Sequence, residues 1–455
     1  MKPLKILFAN FPADGHFNPL TTLANHLKLQ GHDVRWYTSR KYESKITRMS
    51  IPFYPLVKAL DFASDTVDQL FPERKKAKSA VAKLKFDIKN AFILRGSEYF
   101  EDIKEINKTF NFDILIADIA FTGIPFVKDL LSKPVVGIGV LPLAETSKDL
   151  PPTGLGLAPV YSFWGKQKQG ILRWFADNII FKESTQLKNK VFKEFGVKIT
   201  KGNIFDTLYR KCDLVLQSGT PGFEYKRSDL SNNIRFIGPL LPYKQKQEFN
   251  FSYLNTMEKY DKVILVTQGT VETDVEKIIV PTLEAFKNSK HLVVATTGGA
   301  RTEELKKRYP YSNVIIEDFI PFDAIMPFTS VYITNGGYGG VMLGIQNKLP
   351  MVVAGIHEGK NEINARVGYF ELGINLNKEN PTSGEIKRSV HQIFSNDKYK
   401  INSIRLSQEF KKYRPEILCE RYVYELLDFN KPSTFSASSV YKTSGQEMIH
   451  EKSIG

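Results

Sequence analysis

The stretch VYITNGGYGGVMLGI, residues 331–345, decides how this part of the chain folds. β-Favouring residues lead into Asn335, and four glycines then fall within five positions, at 336, 337, 339 and 340, before helix-compatible apolar residues resume. Such a strand–turn–helix unit leaves backbone N–H groups free at the helix start, and glycines let an anion approach them closely. The pattern matches neither GxGxxG nor GxxxxGK[ST], and such turns also serve tight strand–helix packing. It predicts a turn that packs tightly or binds a phosphate-bearing ligand.

The same alternation of short apolar strands and amphipathic helices runs through the chain, which is typical of parallel sheets built from βαβ units. In the first unit, KILFAN is a strand and GHFNP lies in a loop. The helix after it places its apolar residues at i, i+3, i+4 and i+7 and ends at Gly31. Further strands are predicted at 34–39, 112–118, 134–140, 213–218, 234–239, 262–269, 291–298, 313–319, 330–334 and 350–355.

The pattern restarts after a polar, proline-containing linker at 241–252, which divides the chain into two domains. Residues 1–240 form the first predicted domain and residues 241–412 the second. A closing helix at 413–430 is expected to pack back towards the first domain, and residues 431–455 form a flexible tail. The fold class is therefore α/β, with two doubly wound parallel sheets.

Composition narrows the class of protein. The 455 residues are 42% hydrophobic and contain two cysteines, Cys212 and Cys419, so no disulfide framework or zinc site is indicated. The sequence has no run of 18 apolar residues, so no membrane span is predicted. We expect a cytoplasmic protein. The net charge of +14 includes a basic run at 72–89 without a nucleic-acid motif. That run is a solvated helix face, an acceptor site or a weak peripheral contact with an anionic membrane.

Residues 318–376, DFIPFDAIMPFTSVYITNGGYGGVMLGIQNKLPMVVAGIHEGKNEINARVGYFELGINL, together with GHFNP at 15–19, carry a family resemblance. They resemble the donor-binding signature of the UDP-glycosyltransferase and macrolide-glycosyltransferase superfamily. The resemblance extends along almost the whole chain. It implies the GT-B fold, in which two Rossmann-like domains face each other, with the acceptor on the first and the nucleotide sugar on the second.

The resemblance also implies a donor site. Phe319 and Ile320 match the segment that stacks on the base and pairs with it. The turn of Asn335, Gly336 and Gly337 would face the diphosphate, together with Gly339 and Gly340. Thr270 matches a second loop that approaches the phosphates. Lys360 and Asn361 stand at the positions that hold the donor sugar, although an additional residue in that loop leaves Glu358 as an alternative.

Several positions depart from the family pattern. Asn335 replaces the usual His, Gly340 a Ser or Thr, and Leu343 the Glu that accepts hydrogen bonds from the ribose hydroxyls. An Asn amide still donates a hydrogen bond to phosphate, whereas Leu343 offers no acceptor. Because a dTDP-sugar has no 2′-hydroxyl to satisfy, the donor is a UDP-sugar or a dTDP-sugar.

The catalytic residues implied by the resemblance are His16, as general base, and Asp118, which orients it. Elementary chemistry supports these roles, because an imidazole with a pKa of about 6.5 takes a proton from a hydroxyl and a carboxylate stabilises the imidazolium. Two loops that follow parallel strands meet at one sheet edge. The two residues can therefore meet although they lie 102 positions apart.

We therefore predict an inverting glycosyltransferase that moves a sugar to a hydroxyl of a small lipophilic acceptor. The acceptor would bind segments 57–100 and 141–175 of the first domain. No Asp-x-Asp pair occurs, so no metal or other cofactor is expected. The alternatives are a catalytically silent nucleotide-binding partner and another GT-B activity, such as sugar-nucleotide epimerisation or lipid glycosylation at the cytoplasmic membrane surface. A lipid glycosyltransferase would contact the membrane through 72–89 and FWGKQKQGILRWF at 163–175. The oligomeric state stays open.

Overall fold

The computed structural model of the protein describes residues 2–62, 67–243, 253–269 and 272–427. The predicted tail at 431–455, most of the predicted linker and Thr270 lie outside these residues.

Two parallel sheets organise the chain. The first sheet has seven strands in the order β3-β2-β1-β4-β5-β6-β7, and the second has six in the order β10-β9-β8-β11-β12-β13. The first seven strands are β1 (Lys5–Ala9), β2 (Asp33–Thr38), β3 (Phe53–Pro55), β4 (Ile114–Asp118), β5 (Val135–Gly139), β6 (Leu214–Ser218) and β7 (Ile234–Gly238). The second sheet contains β8 (Val263–Thr267), β9 (Leu292–Thr296), β10 (Val314–Glu317), β11 (Val331–Thr334), β12 (Met351–Val353) and β13 (Gly373–Asn375).

Helices connect the strands and cover the sheets. They are α1 (Asp14–Phe17), α2 (Leu20–Leu29), α3 (Glu43–Arg48), α4 (Val67–Leu70), α5 (Ala80–Asp87), α6 (Arg95–Thr109), α7 (Ile124–Leu130), α8 (Phe163–Phe175), α9 (Lys182–Phe195), α10 (Ile204–Lys211), α11 (Leu254–Met257), α12 (Ile279–Phe286), α13 (Thr302–Arg308), α14 (Phe322–Ile325), α15 (Tyr338–Gln346), α16 (Lys360–Tyr369), α17 (Ser383–Phe394), α18 (Lys398–Phe410) and α19 (Pro415–Leu427). Two segments, Ile88–Ile93 and Ala176–Ile180, are π-helical. Within the described ranges, no helix is long and apolar enough to cross a membrane.

The prediction of two parallel-sheet α/β domains is confirmed, and each predicted strand is present. The structure adds β3 and β13, which the sequence pattern did not indicate. Each is only three residues long, and their residues are mostly half-buried. A strand this short gives no run of apolar residues by which it can be recognised.

Both faces of each sheet are buried. In β1, Leu7 and Ala9 belong to the core on one face, whereas Ile6 and Phe8 belong to the core on the other. Strands covered on both faces read as continuous apolar runs, which is why the sequence pattern located them. The last helix, α19, adds Cys419 to the core of the first domain, although it follows the second domain in sequence.

The order of strands reverses between β1 and β4 in the first sheet and between β8 and β11 in the second. Ligands of open α/β sheets bind at the carboxyl ends of strands beside such a reversal. Tyr338, the first residue of α15, donates its hydroxyl to the carbonyl of Ser218 at the carboxyl end of β6, 2.9 Å away. Because all strands of a parallel sheet end at one edge, this bond brings the ligand-binding edges of the two domains together.

Candidate functional site

His16 and Asp118 meet at the reversal point of the first sheet. His16 lies in the short helix α1 that follows β1, and its Nδ1 is 2.8 Å from Oδ1 of Asp118, the last residue of β4. The fully buried carboxylate also accepts N–H bonds from Phe11, at 2.6 Å, and from Ala120, at 2.9 Å. Because both oxygens of Asp118 already accept backbone N–H bonds, the contact favours a hydrogen on Nδ1, and Nε2 of the neutral ring is then an acceptor. The imidazole keeps 15% of its surface exposed.

An aromatic wall adjoins His16. The ring of Phe11 meets the imidazole edge-on at 5.3 Å and stacks on Phe92 with a centroid distance of 4.8 Å and an interplanar angle of 8°. Phe62 and Phe205 extend the wall by edge contacts with Phe11 and Phe92, respectively. Three of these rings, Phe11, Phe92 and Phe205, are only half-buried. The surface beside the imidazole is therefore apolar and suits a flat lipophilic molecule.

The glycine-rich turn begins α15 at the reversal point of the second sheet. Gly336 has a left-handed φ of +84°, and Gly337 precedes the helix in extended conformation. No side chain of the described residues caps this helix end. The N–H groups of Tyr338, Gly339 and Gly340 lie in its first turn and have no intrahelical acceptor. A site with free N–H donors, the positive end of the helix dipole and little side-chain bulk suits a phosphate group.

Neighbouring turns on the same sheet edge adjoin this one. The Asn335 side-chain amide donates to the carbonyl of Gln268, after β8, so the side chain ties two turns together. A Cβ atom on Gly298, after β9, would lie 3.5 Å from the carbonyl oxygen of Gly269. The N–H of Gly298 donates to the carbonyl of Asp318, after β10, at 2.9 Å. The loops after β8, β9, β10 and β11 thus form one continuous rim.

Asn364 of α16 holds the glycine-rich turn in place. Its buried amide donates to the carbonyl of Gly355 at 2.9 Å and to that of Asn335 at 3.4 Å. Glu379 holds the adjoining loop by accepting the N–H groups of residues 356 and 357. Burial by itself raises the pKa of Glu379, but these N–H bonds, together with the nearby His357 and Lys277, leave the pKa below its usual value. Neither residue was assigned a role in the site from the sequence.

Phe319 and Ile320, predicted to contact the base, differ in exposure. Phe319 follows β10 and leaves 73% of its surface exposed, whereas Ile320 is buried in the domain core. The ring of Phe319 is therefore available to stack on a ligand, whereas the side chain of Ile320 is packed in the core. Leu343 lies in α15, partly buried against the same core, and offers no hydrogen-bond acceptor from its side chain.

The predicted sugar-binding residues separate into two environments. Lys360 forms an ion pair of 2.6 Å with the exposed Glu358, which has a left-handed φ of +56°. Asn361 turns towards the other domain and donates its amide to the carbonyl of Gly154 at 2.7 Å. The structure thus brings Glu358 and Lys360 together and engages Asn361 in a contact between domains.

Glu362 extends that contact between domains. Its Oε1 accepts N–H bonds from Gly154 and Gly156, each at 2.8 Å, and its Oε2 lies 3.2 Å from Arg366. Arg366 in turn pairs with Glu224 of the first domain at 2.6 Å. No local pattern in the sequence indicates the bonds to Glu224, Gly154 and Gly156, because these partners lie more than 140 residues from Arg366 and Glu362.

Among the residues that the structure describes, no group of three or more His, Cys, Asp or Glu side chains is arranged to hold a metal ion.

The chain is similar to known glycosyltransferases in sequence. The model of the family "UDP-glucoronosyl and UDP-glucosyl transferase" matches residues 174–424. The 4′-demethylrebeccamycin synthase of Lentzea aerocolonigenes is 30% identical over 406 residues, which cover 89% of this chain and 95% of that protein. UDP-glucosyltransferase 1 of Beauveria bassiana (strain ARSEF 2860) is 30% identical over 428 residues, covering 90% and 93%.

Solved structures confirm the fold. The glycotransferase of kitacinnamycin matches with a TM-score of 0.72 at 16% identity, over 94% of this chain and 100% of that one. CalG4, the calicheamicin glycosyltransferase, matches with a TM-score of 0.71 at 17% identity, over 95% and 100%. The predicted GT-B architecture is therefore confirmed. The chain belongs to the UDP-glucoronosyl and UDP-glucosyl transferase family and is a glycosyltransferase that uses a nucleotide sugar as donor.

Proposed function

We propose that the protein is an inverting glycosyltransferase that transfers a sugar from a UDP- or dTDP-sugar to a hydroxyl of a small lipophilic acceptor. The observation that carries this proposal is the Tyr338–Ser218 bond, which brings the uncapped start of α15 to the sheet edge that bears His16 and Asp118. A phosphate seat and a candidate base thus lie on the two ligand-binding edges that this bond brings together.

In the proposed reaction, Nε2 of His16 takes the proton of the acceptor hydroxyl as its oxygen attacks the anomeric carbon. The new carbon–oxygen bond forms on the face opposite the diphosphate, the bond to the diphosphate breaks, and the configuration inverts. Asp118 holds the tautomer that leaves Nε2 free and stabilises the imidazolium. The N–H groups at the start of α15 stabilise the charge on the leaving diphosphate, with no metal or other cofactor required.

The remaining donor contacts are assigned to the rim. The exposed Phe319 stacks on the base, and Lys360 with Glu358 flanks the sugar. Leu343 supplies no acceptor to the ribose, which is consistent with a dTDP-sugar as well as a UDP-sugar. The aromatic wall of Phe11 and Phe92 supports a flat apolar acceptor. The relative 4′-demethylrebeccamycin synthase, which is named for the small molecule that it makes, supports a small-molecule acceptor.

The purified protein would be screened by thermal shift and by donor hydrolysis against UDP-, dTDP- and GDP-sugars, and then assayed with lipophilic acceptors. We expect a UDP- or dTDP-sugar to raise Tm and to be transferred with inversion. His16→Ala should lower kcat by at least about a hundredfold while leaving the donor-induced rise in Tm, and Asp118→Asn should lower kcat in the same direction.

Transfer by His16→Ala at the wild-type rate would refute the catalytic assignment. If no nucleotide sugar stabilises the protein or turns over, the silent-partner alternative replaces the proposed activity.

A further inference from the structure

Helix α8 exposes a row of large apolar side chains. Trp164 is 79% exposed, Ile171 69% and Phe163 67%, and three further residues are at least 48% exposed. We call this set the α8 stripe; its members are Phe163, Trp164, Ile171, Trp174 and Phe175 of α8 and Ile179 of the π-helical segment that follows it. In a helix of 3.6 residues per turn, positions i, i+7 and i+11 share one face, so Trp164, Ile171 and Phe175 line up along the helix.

The opposite face fixes the helix to the first domain. The buried Gln169 accepts the N–H of Val160 at 2.7 Å and donates to the carbonyl of Asp149 at 3.1 Å, while Arg173 donates to the carbonyl of Leu150. These bonds set the rotation of α8 about its axis. The stripe therefore faces outward because the polar face is held inward, which reverses the usual arrangement of a surface helix.

Positive charge predominates around the stripe, in which the exposed Asp177 stands between Phe175 and Ile179. No acidic residue occurs between Asp149 and Asp177, whereas Lys166 and Lys168 lie exposed on α8 itself. The basic run 72–89 reaches the same region, because Lys85 of α5 lies 3.9 Å from Glu183 at the start of α9. That run carries seven Lys or Arg residues against two acids, and its exposed Val81 and Leu84 add apolar surface.

We infer that the α8 stripe and the basic run 72–89 together form a docking surface for an anionic lipid bilayer. Tryptophan and other large apolar side chains insert at the boundary between headgroups and acyl chains, and flanking lysines attract anionic headgroups. Pairing of two copies through the stripe would bring Lys166 and Lys168 of each close to those of the other, so the charge favours a bilayer over a second copy.

The surface is connected to the aromatic wall by a short stretch of chain. The π-helical segment Ile88–Ile93 follows α5 directly and carries Phe92, which stacks on Phe11 beside His16. A protein docked through this surface would hold its apolar wall next to the lipid phase in which lipophilic acceptors concentrate. Docking itself does not depend on the proposed activity, so the two are tested separately.

The test is flotation of the full chain with vesicles of phosphatidylcholine containing 30% phosphatidylglycerol, compared with pure phosphatidylcholine. We expect at least about tenfold stronger partitioning into the anionic vesicles, lost largely at high ionic strength. Of the three tryptophans, Trp36 is fully buried, so quenching by brominated lipids reports on Trp164 and Trp174 in the unaltered protein.

Two pairs of variants sharpen the test. Ile171→Ser with Phe175→Ser should lower anionic-vesicle binding about tenfold or more. Leu29→Ser with Ile401→Ser, at sites outside the stripe that are at least as exposed, should not lower it. Lys166→Glu with Lys168→Glu should also lower binding to anionic vesicles. Lys411→Glu with Lys412→Glu, which changes the net charge equally outside the stripe, is the charge control and should lower binding less.

Three outcomes would overturn the inference. The first is equal binding to neutral and anionic vesicles, the second is no bromine quenching while the protein floats, and the third is a dimer in sedimentation that only the stripe variants dissociate. The last result would assign the stripe to a second copy.

Discussion

A Cβ atom on Gly336 would overlap the side-chain oxygen of Asn364, and the φ of +84° at Gly336 also disfavours any L side chain. Gly336→Ala must therefore strain the backbone and displace a buried amide that bonds to Gly355. We expect the free energy of unfolding to fall by about 2 kcal/mol or more and donor binding to be lost. Urea denaturation and calorimetric titration with the nucleotide sugar measure the two effects.

Gly339→Ala is the matched control for stability. Nothing lies within 4 Å of the position that its Cβ would take, and it sits in the first turn of α15, where alanine is favoured. Its unfolding midpoint should equal that of the wild type or exceed it slightly. Equal stability of the Gly336 and Gly339 variants would contradict the account of the turn.

Phe319→Ala tests whether the exposed ring binds the base. Since 73% of its surface is exposed, removal of the ring costs little packing. The free energy of unfolding should stay within about 0.5 kcal/mol of the wild-type value. Loss of stacking should raise the donor Kd by about tenfold, because stacking of a base on an aromatic ring contributes about 1–3 kcal/mol. Phe328→Ala, at another exposed ring of the same domain, should leave the donor Kd unchanged.

Glu362→Ala tests the contact between the domains. It removes the acceptor of the Gly154 and Gly156 N–H groups and one partner of Arg366. Hydrogen bonds to charged groups contribute about 1.5–3 kcal/mol each, and water replaces part of the loss, so we expect about 2 kcal/mol of destabilisation by urea unfolding. Glu303→Ala breaks only an exposed pair with Lys306 and should change stability by less than about 0.5 kcal/mol.

His32 makes the docking of α19 sensitive to pH. Its Nδ1 accepts the N–H of Leu4 at 3.1 Å, and Nε2 faces the Tyr424 hydroxyl of α19 at 3.3 Å. Burial lowers the pKa of His32 below its ordinary value of 6.5, although the nearby Glu420 opposes that shift. A lowered folded-state pKa means that this contribution to stability is present above pH 6.5 and is lost as pH falls through the folded pKa.

Thermal unfolding between pH 5 and pH 8 measures this effect. His32→Gln keeps an acceptor for Leu4 but does not titrate, so its Tm should fall less than that of the wild type as the pH drops below 6.5. Parallel Tm curves for the two proteins would exclude His32 as the titrating group.

Sequence patterns located the strands because buried parallel strands are continuous apolar runs, as in Leu292–Thr296. The turn at Asn335 was predicted from its glycines, whereas His16 and Asp118 were predicted from the family resemblance. In the structure, both sites follow strands beside a reversal of strand order. Short strands such as Phe53–Pro55 carry too few residues to form a recognisable run.

Contacts between domains were beyond sequence reasoning for a different reason. The amide of Asn361 and the carboxylate of Glu362 bond to backbone groups of a loop more than 200 residues earlier. Backbone groups are present at every residue, so such a bond leaves no mark in the composition of either segment. Residues 163–175 were predicted to contact a membrane in the lipid-glycosyltransferase alternative, but the hydrogen bonds of Gln169 and Arg173 determine which face of α8 is exposed.

The packing of α19 on the first domain bears on how the protein is synthesised. Cys419 and Val423 complete the core beside β1 and α2, yet the ribosome makes them after the whole second domain. During synthesis, the apolar surface of the first domain that α19 covers therefore stays exposed until the second domain and α19 have been made. A gene fragment ending near residue 240 would give a domain that aggregates, and supplying α19 as a separate peptide in trans should restore its solubility.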